Sequence, residues 1–152
     1  MNLILEKTDQ VEFYTFIEQV FSALKIDCEE FDWYLSDIET NGYDVPEGWV
    51  SGKELKRILE GNEIQFIWSV FSAFKVGTRF EVAEDPVVYD NPTYWDGSNP
   101  EPQLNGASFE VACWDSSATI LIGLDQNLEQ NYRAAYSDAK ELRNVSTKRV
   151  NK

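Results

Sequence analysis

At 152 residues the chain is long enough to bury a core as one domain, and a composition 43% hydrophobic and 14% aromatic excludes a disordered polymer. Twenty-seven acids against thirteen bases give a net charge of −14, a field that repels nucleic acid and anionic membrane surfaces. The chain has no histidine, which excludes Ser-His-Asp triads, Cys-His pairs and imidazole metal sites and leaves any proton transfer to carboxylates, lysine, cysteine or tyrosine.

The opening "MNLILEKTDQ" has no basic start and breaks at Glu6-Lys7, so no secretory signal is expected there. The first predicted element is a helix over residues 8–25, capped by Thr8 or Asp9. Val11, Tyr14, Ile17, Phe21 and Leu24 would form its apolar stripe. "FDWYLSDIE", residues 31–39, alternates Phe31, Trp33 and Leu35 with Asp32, Tyr34 and Ser36, predicting a strand with a solvated polar face. A loop follows through Asn41-Gly42 and Pro46. A short helix over 51–61 comes next, with Ser51 and Glu54 at capping-box spacing and Gly61 at its close.

Residues 63–74 fit both periods, but their aromatic and β-branched content favours a strand. The apolar run Phe66–Phe74 within them is far too short to span a membrane. "FEVA", residues 80–83, reads as a brief strand. "ASFEVACW" and "ATILIGL" read as a hairpin about Asp115-Ser116-Ser117. A last helix is expected from an Asp125 cap, with Leu128, Tyr132, Ala135, Tyr136, Ala139 and Leu142 on one face, followed by a flexible basic tail over 146–152. The expected fold is a single α+β domain over 1–145, with a small antiparallel or mixed sheet of about four to five strands covered by about three helices. Cys28 and Cys113 lie among apolar neighbours without metal-ligand spacing. They are expected to be buried thiols, and their pairing stays open.

The charge is uneven. Residues 1–47 carry a balance of −10, 48–83 of +1, 84–115 of −7 with no base at all, and 116–152 of +2. The base-free block opens on "EDPVVYDNPTYWDGSNPEP", where four prolines forbid a regular ladder or helix. A loop this long inside a compact domain is usually functional. Tyr89, Tyr94 and Trp95 have the amphipathic rings that anchor protein interfaces, and Glu84, Asp85, Asp90 and Asp96 would steer a basic partner. The same rings could instead fold back on the sheet as a lid. Asp32 and Asp37 could widen the footprint. "DNPTYWDGSNPE" has Asp90 first and Glu101 twelfth, as in a calcium loop, but Pro92 and Tyr94 stand where oxygen ligands are required, so no metal site is expected. The acids of "DCEEFDWYLSDIE" show no spacing that marks a catalytic pair.

At "WYLSDIE", "GKELKRILE", "SAF" and "FEVACWDSSATILIG" the order of elements resembles a family of short, uncharacterised bacterial proteins, which implies the α+β fold but no activity. In size and charge the chain is also similar to immunity proteins that neutralise bacterial toxins. The sequence therefore leads to a cytoplasmic, non-enzymatic, cofactor-free binding protein, an inhibitor or immunity-type module for a basic protein partner such as a toxin. The other readings are a small carboxylate-dependent hydrolase and a self-associating structural subunit.

Overall fold

The computed structural model describes residues 1–145; the expected basic tail over 146–152 lies outside them. Strands β1 (Leu3–Glu6), β2 (Phe31–Thr40), β3 (Gly48–Ser51), β4 (Phe66–Lys75), β5 (Phe109–Trp114), β6 (Ala118–Ile122) and β7 (Lys140–Glu141) alternate with helices α1 (Ile17–Leu24), α2 (Gly52–Leu59) and α3 (Gln126–Ala135). The strands form one antiparallel sheet in the order β3-β2-β4-β5-β6-β1-β7. Among the described residues the fold is α+β with three helices, and the sheet has seven strands rather than four to five.

The additional strands are the short ones. β1 reads Leu-Ile-Leu-Glu, and all four residues are buried, so it shows no alternation to betray a strand. β3 and β7 have four and two residues and borrow their pairing from β2 and β1.

Where the sequence pattern is strong, the elements follow it. Ser51 Oγ accepts the Glu54 N–H at 3.0 Å and Glu54 Oε1 accepts the Ser51 N–H at 3.3 Å, closing the reciprocal cap of α2. Asp125 Oδ1 accepts the Leu128 N–H at 2.8 Å and starts α3. The β5–β6 hairpin turns through Asp115 and Ser116, both at positive φ, with the Ser117 N–H donating to Trp114 O at 3.0 Å.

Elsewhere tertiary contacts override the pattern. The expected helix over 8–25 is only Ile17–Leu24. Thr15 at φ 64 interrupts it, and Tyr14 Oη both accepts the Thr8 N–H (2.6 Å) and donates to Thr8 O (3.0 Å), tying the preceding loop on itself. Thr8 and Asp9 cap nothing in α1, whose first turn follows Phe16. Residues 80–83 form no strand; Phe80 instead lies against Trp49 and Phe74. The last helix stops at Ala135, and Ala139 and Leu142 reach the interior from the turn and short 3-10 helix beyond it.

The sheet is covered on both faces. On one, Leu3, Trp33, Leu35, Phe71, Phe109 and Val111 meet Ile17, Phe21 and Leu24 of α1, with Leu55 and Leu59 of α2 and Tyr132 of α3. Trp33 is central there: its indole N–H donates to Cys28 O at 2.9 Å, and Phe21 stacks on its ring at 4.9 Å. On the other face Ile4, Val70, Ala112, Ile120 and Ile122 lie beneath Val88, Tyr94 and Trp95 of the long connection between β4 and β5. Cys28 and Cys113 are both free and buried. Burial pushes their thiols up to about 11 and about 12, which makes both poor nucleophiles at neutral pH.

Candidate functional site: an acidic lid with an exposed tyrosine

The β4–β5 connection is a lid. Its inner side is fastened to a glutamate in the middle of the sheet. Glu110 of β5 is 0% exposed, and both of its carboxylate oxygens are taken by the lid: Oε2 accepts the Tyr94 hydroxyl at 2.5 Å and Oε1 accepts the Gln103 N–H at 2.8 Å. The Gln103 side-chain amide donates to Tyr94 Oη at 3.0 Å and to Val87 O at 2.9 Å, while its Oε1 accepts the Val87 N–H at 2.9 Å. One glutamine thus stitches the two arms of the lid together above Glu110. Desolvation raises the Glu110 carboxyl above its ordinary value against the pull of these donors, and it raises the Tyr94 phenol well above its own.

Strand β2 holds the near arm. Ser36 Oγ donates to Pro86 O at 2.7 Å, and the Tyr34 hydroxyl donates to Asp85 Oδ1 at 2.5 Å. That bond, first among several causes, pushes the Tyr34 phenol up to about 12. Asp37, in the left-handed region at φ 54, accepts the Val88 and Tyr89 N–H groups on Oδ2 at 2.9 and 3.1 Å. Asp32 accepts the Gly77 N–H at 3.0 Å and the Arg79 guanidinium at 3.4 Å. The far arm is held by Asn2, whose amide donates to Pro100 O at 2.7 Å and to Asn99 at 3.0 Å.

The nine residues singled out in the sequence therefore separate. Tyr94 and Trp95 are 1% and 5% exposed, under the lid, where Tyr94 seals Glu110 and Trp95 packs edge-on against Trp114 at 4.8 Å. Neither presents a ring to a partner, because the apolar sheet face between β1 and β4 needs that cover. Asp32, Asp37 and Asp85 fasten the lid to β2 and its neighbours, so the polar side of β2 is covered rather than solvated, and Asp32 and Ser36 are buried. Glu84, Asp90 and Asp96 face water. Hydrogen bonds from the Ser98 side chain, then from its N–H, hold the Asp96 carboxyl below its ordinary value.

Tyr89 is the most exposed ring of the lid, at 72%. Its edge meets Trp68 at 5.1 Å and Trp68 meets Trp114 at 5.7 Å, so half-buried indoles support it from below. Val87 is exposed two residues away. Sequence reasoning missed Glu110 and Gln103. An acid inside the otherwise apolar "SFEVACW" was the available signal for the first; nothing marks the second.

Among the described residues no group of three His, Cys, Asp or Glu side chains is placed to hold a metal ion, and no helix is long and apolar enough to cross a membrane. Comparison of the chain with protein-family models, with curated proteins and with solved structures gives no match.

Proposed function

We propose that this is an acidic protein-binding module, an inhibitor or immunity-type protein that neutralises a basic protein partner through the outer surface of the lid. Tyr89 anchors, with Val87 beside it. Glu84, Asp85 and Asp90 steer the approach, and Asp96 extends the acidic field. Tyr94 and Trp95 act from beneath, by holding the displayed segment in one shape before the partner arrives.

The observation that carries this reading is the exposure of Tyr89 within a stretch that has no lysine or arginine between Arg79 and Arg133. The Asp37 carboxylate pins the Tyr89 N–H and Trp68 braces its ring, so little conformational freedom remains to be lost on binding. The small size and the net charge of −14, in which the chain resembles toxin-neutralising immunity proteins, support it further.

The test is capture of a basic protein from a cell lysate at low salt, in parallel on the wild type, Tyr89→Ala and Asp90→Asn. A specific partner is expected to elute with added salt. Asp90→Asn should slow its association by about two- to fivefold, and Tyr89→Ala should speed its dissociation by about tenfold or more. Equal capture by all three proteins would remove the lid from the interface.

A further inference from the structure

The helix layer has a gap. α1 packs against α3, and Asn131 of α3 donates to Leu24 O at 3.0 Å at the C-terminal end of α1. α2 packs instead on the short 3-10 helix Cys28–Glu30 and on β2 and β3. Gly52, at its first turn, lies so close to that 3-10 helix that a β-carbon there would stand 2.0 Å from Cys28 O. The seam left between α1 and α2 is a cleft of about 400 Å³, within the size range of small-molecule sites.

Each helix lends the cleft one face at three- and four-residue spacing. Phe21 from α1 and Leu59 from α2 form apolar walls above Cys28, and all three are buried. The rim is charged and exposed: Glu18 from α1, with Lys56 and, just past the end of α2, Glu60. Asp27 also lines it, its carboxylate already engaged by the Glu29 N–H at 3.0 Å. Desolvation, then repulsion from Glu60, raises the Glu18 carboxyl above its ordinary value, so the two glutamates feel one another across one mouth. Among the described residues neither forms an ion pair, and neither does Lys56.

We propose that the cleft between α1 and α2 binds an organic cation with an apolar body, an ammonium or guanidinium on a hydrocarbon stem. The stem lies on half-buried Ile26, between the edges of Phe21 and Leu59, where it shields apolar surface from water, and the cationic head sits between Glu18 and Glu60 and relieves their repulsion. Lys56 opposes the head and lowers the affinity. No bond to the protein is made, since the Cys28 thiol, pushed up to about 11, stays protonated at neutral pH. The site lies on the helix face of the sheet, opposite the lid, and does not depend on the function assigned to the lid.

Backbone amide shifts titrated with n-hexylammonium, 1-hexanol and hexanoate test the proposal. Hexylammonium should move the resonances of residues 18–28 and 56–60, hexanol should do so more weakly, and hexanoate should not bind. Glu18→Gln and Glu60→Gln should each weaken hexylammonium binding by about two- to fivefold, and Lys56→Gln should tighten it by a similar factor. All three side chains are exposed, so melting curves should confirm intact folds. A capped lysine, Nα-acetyl-lysine methylamide, separates the two sources of such a cation. Binding as tight as hexylammonium identifies a lysine side chain of a polypeptide, and binding of hexylammonium alone identifies a free amine. Equal response to hexanoate, shifts that map away from the cleft, or indifference to all three charge changes would each overturn the proposal.

Discussion

Glu110 is an acid placed where an apolar residue would be expected. It lies opposite Ser72 on β4 and Ile122 on β6, in the middle of the sheet, and its donors are neutral groups of the lid. A carboxylate there costs desolvation and gains two hydrogen bonds, and its raised pKa shows that the cost is the larger. A folded pKa above the unfolded one gives a contribution fully present below the unfolded value, in the ordinary carboxylate range, and lost as pH rises through the folded value. Melting curves of the wild type and Glu110→Gln between about pH 4 and 8 should therefore show the variant gaining on the wild type as pH rises. An advantage that shrinks with pH would mean that the hydrogen bonds dominate. Tyr94→Phe leaves Oε2 without its donor, and a loss of about 1–3 kcal/mol in denaturant titration is expected at neutral pH.

At the scale of elements, the join between α2 and the 3-10 helix Cys28–Glu30 is the least forgiving place. The β-carbon of Gly52→Ala would meet Cys28 O at 2.0 Å and Glu29 Cα at 2.5 Å, both backbone atoms that can yield only if α2 moves. A loss of about 3 kcal/mol or more in chemical denaturation is expected, against the gain of about 1 kcal/mol that alanine would bring at an open helical site. This contact also shows what the sequence carries and what it does not. The α2 cap was legible because Ser51 and Glu54 stand three residues apart, a local relation. β4 was legible as a strand but ambiguous in period, because Ser69 through Phe74 are buried on both faces and the alternation is erased. β1, β3 and β7 were not legible, since each exists only through partners distant in sequence. The lid's acids and aromatics were visible as a block. Which rings point outward was not, because that depends on whether Glu110 and Gln103 lie beneath them.

For the whole molecule, electrostatics act in two opposite directions. Twenty-seven acids among thirteen bases repel one another in the folded state, and salt shortens the reach of that repulsion from about 30 Å at 0.01 M to about 8 Å at 0.15 M. Raising ionic strength over this range should lift the melting temperature of the free protein, which thermal melts in sodium chloride will measure; a flat or falling curve would mean that the folded and unfolded chains repel themselves equally. The same salt should weaken a complex with a basic partner, so stability and binding should move in opposite senses along one titration.

The position of β1 has a consequence in time. Leu3 pairs with Leu121 on one side and Glu141 on the other, so β1 is laid between two strands more than a hundred residues further along the chain. As the chain leaves the ribosome, Leu3, Ile4 and Leu5 have no partner strand until β6, more than a hundred residues later, has been made. The sheet closes around its own beginning. Such distant pairings are slow to form, and an apolar run that waits for them is exposed to other chains meanwhile. A nascent or shortened chain lacking its last strands should therefore be the form of this protein that chaperones hold.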